Sequence, residues 1–118
     1  MKVNYFVVGT NDMEAATQFY DALFEESGLE KIVPADRMTY WVDGDFAFAV
    51  AIPFDEQPAT NGNGTMVGFG VGSAGEVARL HAKALELGGT CAGAPGQRGP
   101  RFSAYVRDLD NNKLCFAD

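Results

Sequence analysis

The sequence predicts an α+β fold made of two successive βαβββ modules, and three observations carry that prediction. The order strand, helix, three strands runs twice along the chain. Landmarks repeat at nearly constant distance: the helix-ending glycines Gly28 and Gly88 are 60 residues apart, and the strand-ending Val8 and Val71 are 63 apart. Between the halves lies a stretch with Pro53, Pro58 and Asn61-Gly-Asn-Gly64 that has no apolar periodicity. The chain therefore reads as one domain, residues 1–118, of two modules, 1–53 and 65–118, joined by a loop over 54–64.

Each element has a local cause. Val3–Val8 is a short apolar and aromatic run ending at Gly9, a strand pattern. Asn11 as N-cap would put Glu14 at N3, a capping box. Met13, Ala16, Phe19, Tyr20, Leu23 and Phe24 then recur at helical spacing, and Gly28 follows the last turn. Leu29–Val33, Met38–Val42 and Phe46–Ile52 read as three strands, the last two joined across Asp43-Gly44-Asp45, a hairpin signal. In the second module Thr65–Val71 is a strand and Ser73-x-x-Glu76 a second capping box. Val77, Leu80, Ala84 and Leu87 make an apolar stripe that Gly88-Gly89 ends. Thr90–Gly93, Arg101–Arg107 and Lys113–Ala117 close the chain as strands. The last two flank Asp108–Asn112, whose side chains bond their own backbone and tolerate positive φ.

Composition narrows the function classes. With 118 residues, 47% hydrophobic, and nine Phe, the chain can fill a core. A net charge of −7 argues against nucleic acid and against anionic membrane surfaces as partners. No apolar run approaches a membrane span of about 18 residues, and no basic-plus-apolar leader precedes the first strand. A cytoplasmic protein is the expectation. Two cysteines, Cys91 and Cys115, make no disulfide framework and are expected to be packed free thiols. The lone histidine, His81, sits on the flank of the second helix stripe and reads as a half-buried boundary residue.

One helix covers one face of each sheet, so the other faces must curl, pair or line a cavity. Alternation puts Val3, Tyr5 and Val7 on one face of the first strand and Phe6 and Val8 on the other, beneath the helix. In the same phase Met66, Gly68 and Gly70, and Lys113 and Cys115, occupy the open face of the second module. Gly70-Val-Gly72-Ser-Ala-Gly75 matches G-x-G-x-x-G, but Thr90–Gly96 lacks the acid a dinucleotide site needs about 20 residues on, and too little chain follows to wind such a sheet. These glycines are expected to end the strand and open the sheet.

Two segments give the chain a relation. Asp12-Met-Glu-Ala-Ala-Thr-Gln-Phe-Tyr20 after the first strand, and Arg107-Asp-Leu-Asp-Asn-Asn-Lys-Leu114 near the end, resemble the vicinal oxygen chelate superfamily of glyoxalases, bleomycin-resistance proteins and extradiol dioxygenases. The middle, Pro53 to Met66, looks like that of a small glyoxalase-like bacterial branch. The resemblance implies curved mixed sheets with a cup-shaped face. Metal-dependent members of the family place His and Glu at four strand positions. By the resemblance those positions fall here on Tyr5, on Met66, near Phe48 to Val50, and on Cys115. Phenol, thioether, thiol and an apolar side chain do not make a hard-cation site, so neither a metal nor another cofactor is expected.

The expected ligand-binding residues are Tyr5, Tyr40, Trp41, Phe48, Met66, Arg98, Arg101, Tyr105 and Cys115. Aromatic walls with a few polar anchors are the ordinary form of a small-molecule site. Arg98 and Arg101 flank a Gly-Pro turn, where guanidiniums either hold a carboxylate or phosphate or simply balance an acidic chain. The leading expectation is a glyoxalase-like protein without the usual metal ligands, binding a small, partly apolar molecule in the sheet cup. The alternatives are a glyoxalase-type lyase or dioxygenase-related enzyme with an atypical site, and an interaction module whose cup is a subunit interface. A homodimer is expected in each case, since open sheet faces need cover.

Overall fold

The computed structural model describes residues 1–118 throughout. The chain divides into two compact units, Met1–Asn61 and Gly62–Asp118, and the division falls inside the Pro/Gly-rich stretch.

In the first unit β1 (Tyr5–Gly9), α1 (Met13–Leu23), β2 (Glu30–Ala35), β3 (Met38–Asp43) and β4 (Phe46–Ala51) form a four-stranded sheet in the order β1-β4-β3-β2. The β1–β4 pair is parallel and the other two are antiparallel. The second unit repeats the plan with β5 (Met66–Gly70), α2 (Ala74–Glu86), β6 (Thr90–Arg98), β7 (Arg101–Arg107) and β8 (Lys113–Ala117), ordered β5-β8-β7-β6. Again only the β5–β8 pair is parallel. The fold is thus α+β with two βαβββ modules, as the repeated pattern predicts.

The helix faces are the cores. In the first unit Phe19, Tyr20, Leu23 and Phe24 pack on Trp41, Phe48 and Val50, all buried. The rings form a cluster in which the Tyr20 centroid lies 4.9 Å from Phe48 and 5.5 Å from both Phe24 and Trp41. In the second unit Val77, Leu80 and Ala84 pack over Val67, Leu114, Val106 and Phe116, a mainly aliphatic core. Burying each large apolar side chain of this kind contributes about 1.5–3 kcal/mol.

Several local expectations are corrected. The cap of α1 is Asp12, not Asn11: Ala15 N–H donates to Asp12 Oδ1 at 3.0 Å. Asn11 instead holds residue 59, donating to Ala59 O at 3.2 Å and accepting from Ala59 N–H at 2.7 Å. Helix α1 ends earlier than the glycine suggests, at Leu23, and the positive-φ Gly28 stands beyond a further turn closed by Ser27 Oγ on Phe24 O. The second capping box keeps its cap, Ser73 accepting from Glu76 N–H, but the Glu76 carboxylate turns outward to Arg79 at 2.8 Å. The end of α2 forms as predicted. Gly89 N–H reaches Ala84 O and Gly88 N–H reaches Leu85 O, with Gly88 at φ +101°, the paired bonds of a left-handed cap. Strand β6 runs to Arg98 rather than Gly93, because register shifts between Cys91, Gly93 and Gly96 let it continue past its small residues.

Candidate functional site: the open sheet faces

Strand pairing turns the sequence phase into rows of side chains. On the open face of the first sheet, Tyr5, Ala47, Val42 and Glu30 form one row. Val7, Ala49, Tyr40 and Ile32 form the next. The Tyr5 and Tyr40 rings meet edge to face, with centroids 6.4 Å apart. Tyr5 is 57% exposed, so its ring is presented rather than packed.

On the open face of the second sheet, one row is Met66, Lys113, Arg107 and Thr90. The next is Gly68, Cys115, Tyr105 and Gly93. Tyr105 leans across Gly93, where an added Cβ would come within 2.7 Å of the ring. Two cations stack on that ring, Arg98 and Lys113, each 5.1 Å from its centroid. Arg98 also donates to Ser103 O and Ala94 O, so its guanidinium satisfies carbonyls around the irregular part of β6. Gly68 and Gly70 leave the β5 side of this face open: nothing lies within 4 Å of a Cβ built on either. A cavity of about 250 Å³ is bounded by Asn63, Gly64, Thr65, Met66, Arg107 and Lys113.

The Asp108–Asn112 turn sets this geometry. Asp108 Oδ1 accepts from Asp110 N–H and Asn112 N–H at 2.9 and 2.8 Å, and its Oδ2 accepts from Asn112 Nδ2 at 3.0 Å. Asn111 takes positive φ, and Arg107 donates to Asn111 O at 3.1 Å. The turn therefore fixes Arg107 opposite Lys113, and Tyr105 opposite Cys115.

Of the nine expected ligand-binding residues, Tyr5 and Tyr40 share the open face of the first sheet. Met66, Tyr105 and Cys115 share that of the second, with Arg101 in the same phase of β7 and Arg98 reaching in over Tyr105. Trp41 and Phe48 do not join them. Both are 2% exposed beneath α1, and Trp41 Nε1 donates to Asp21 Oδ1 at 3.1 Å. Tyr40 and Trp41 are neighbours in an extended strand, so they cannot share a face. The residue of β4 on the open face is Ala49, between Val7 and Tyr40.

Two further residues join the site, Arg107, a polar candidate from sequence, and Lys113, which alternation puts on the open face without assigning it a ligand role. The alternation of each strand does carry the signal, because Lys113 shares a phase with Cys115, and Arg107 with Tyr105, across a short turn. His81 and Cys91 are corrected together. His81 is buried and Cys91 exposed, with His81 Nε2 3.2 Å from Cys91 Sγ across the helix-covered side. Burial holds the His81 imidazole below its ordinary pKa.

The metal positions implied by the family carry a phenol at Tyr5, a thioether at Met66, a thiol at Cys115 and a methyl at Ala49. No group of three or more His, Cys, Asp or Glu side chains is placed to hold an ion. This donor set does not fit a divalent ion in oxygen and imidazole coordination.

Known proteins share this fold. The chain is similar to a glyoxalase/bleomycin resistance protein from Albidiferax ferrireducens T118, with 34% identity, 97% of this chain and 95% of that chain covered, and a TM-score of 0.88. A glyoxalase/bleomycin resistance protein/dioxygenase family enzyme from Burkholderia phytofirmans PsJN shares the fold at 19% identity, covering 99% and 98% of the two chains, with a TM-score of 0.81. Lactoylglutathione lyase from Agrobacterium tumefaciens does so at 17% identity, 98% and 92% coverage, and a TM-score of 0.72. No curated protein matches the chain. The family model of the Glyoxalase/Bleomycin resistance protein/Dioxygenase superfamily matches residues 2–116, and the chain belongs to that superfamily.

Proposed function

We propose that the protein binds a small, partly apolar molecule on the open face of its second sheet, without a metal. The observation that carries this reading is the unfilled strip above Gly68 and Gly70, bordered by Met66 and Cys115. Gly68 and Gly70 are exposed, so the strip is open to a ligand arriving from solvent. Around it stand a thioether, a thiol and an aromatic ring with cationic neighbours, a largely apolar lining with a few polar anchors. The lyase or dioxygenase alternative draws no support from the donor set, since the implied ligand positions hold the wrong atom types.

The test is a thermal-shift screen of the intact protein against small metabolites and drugs, repeated on Gly68→Val. Gly68 is not at positive φ and has room for a side chain, so the variant fills the strip without strain. Hits that stabilise the parent and not the variant support the reading. Hits that act equally on both place the molecule elsewhere and refute it.

A homodimer belongs to the same proposal. Edge strand β2 is exposed along its whole length and carries Ile32 and Val33, an apolar edge of the sort proteins cover. Light scattering after gel filtration is expected to give twice the chain mass; a concentration-independent monomer removes this part.

A further inference from the structure

The Arg107–Lys113 pair singles out the charge of the ligand. These two cations stand directly opposite one another on β7 and β8. Like charges so placed destabilise a sheet. Neither is ion-paired, although the protein as a whole is acidic with net charge −7. The nearest carboxylate in sequence to Arg107, Asp108, is engaged inside its turn with two backbone N–H groups and the Asn112 amide. Arg107 gives one hydrogen bond to Asn111 O, leaving the rest of its donor fork uncommitted. Lys113 is balanced only by the face of the Tyr105 ring. Both line the 250 Å³ cavity together with Thr65 and Met66.

We infer that this cavity is an anion subsite, and that the molecule bound by the second sheet carries a carboxylate or phosphate-type group beside its apolar part. This rests on the small-molecule reading above and adds the charge. The guanidinium fork would take two oxygens of the anion, the ammonium a third contact, and the Thr65 hydroxyl a neutral one. The apolar body would lie toward Met66 and the Gly68–Gly70 strip. An anion there also relieves the repulsion between the two cations, so occupancy stabilises the sheet as well as the ligand.

The test uses the intact protein at constant ionic strength, titrated with benzoate, phenylphosphonate and the neutral benzyl alcohol while thermal unfolding is followed. Both anions are expected to raise Tm more than benzyl alcohol, and the ranking of the two anions tells carboxylate from phosphonate selectivity. Lys113→Gln is expected to weaken the anion effect by about tenfold in concentration, the loss of one charge-assisted contact. Lys113→Glu supplies the missing countercharge to Arg107 from within the chain and is expected to abolish the effect while the protein remains folded. Equal shifts from benzyl alcohol and the anions, in parent and variants alike, would overturn the anion assignment and leave the small-molecule reading standing. No shift from any of the three would count against both. A Tm rise matched by sodium chloride alone would mean simple screening and overturn the subsite.

Discussion

The two modules share a topology and differ in what they do with their free surfaces. Under α1 the first sheet packs rings on rings, whereas under α2 the second packs mainly Val, Leu and Ala, with Phe116 as its one fully buried ring. On the opposite side the first sheet presents Tyr5, Tyr40 and a line of alanines, while the second presents glycines, Met66, Tyr105 and cations. Even the tie from helix to edge strand differs. Asp21 Oδ2 accepts from Lys31 Nζ at 2.7 Å in the first module, and His81 meets Cys91 at 3.2 Å in the second, each pair ten residues apart in sequence. A core tolerates a change of shape if volume and pattern are kept, so the same βαβββ plan accommodates either packing. An open face has no such constraint, and there the modules have diverged most.

The contrast between the modules is tested most severely in their cores. Phe48→Ala is expected to cost about 3–5 kcal/mol and Leu114→Ala about 2–5 kcal/mol, read by urea unfolding. Similar losses from both would show that the aromatic cluster is a variant of the same core and not a binding wall. A small loss for Phe48→Ala would return that ring to the candidate site. Asp108→Ala comes next. It strands buried donors in the turn at about 1–3 kcal/mol, and should also weaken the proposed anion binding by loosening the Arg107–Lys113 register.

Gly68→Val and Gly88→Ala form a pair of opposite sign. The first is expected to leave stability unchanged or raised by up to about 1 kcal/mol, because an extended position gains β-propensity. The second forces Ala into φ +101° beside Leu109 and is expected to cost roughly 1–2 kcal/mol. If both destabilise equally, the space over β5 is not free.

The smallest effects come from the helix-to-edge ties. The folded-state pKa of His81 is depressed, so below the unfolded value of about 6.5 the unfolded chain binds the proton more readily. Stability should thus be full above that pH and fall as the pH drops toward the folded pKa. His81→Gln should flatten that part of the profile. It is the chain's one histidine, so no other imidazole contributes. Mass spectrometry after brief alkylation should find Cys91 modified before Cys115, which is 8% exposed.

Most of the architecture was legible because each signal was local. Helical spacing, the Ser73 cap, the Asp-Gly hairpin and the Gly88 stop all act within a few residues of themselves. The helix start at Asp12 was ambiguous because Asn11 and Asp12 are both good caps, and a contact with Ala59, 48 residues away, decided between them. The site was legible only in part. Strand phase located Tyr5, Met66 and Cys115, but grouping Tyr40 with Trp41 by chemistry ignored that adjacent strand residues point apart. The Arg107–Lys113 pairing depends on turn register, and the His81–Cys91 contact on the packing of a helix over an edge strand. Neither is a property of one segment.

The Asp108–Asn112 turn also limits how this protein can change. A single residue gained or lost there would shift β8 by one position against β7, exchanging its two sides. Leu114 and Phe116 would move out of the core, and Lys113 and Cys115 would move in. Substitutions can therefore retune the cationic face one side chain at a time, whereas any change of length at this turn destroys face and core in the same step.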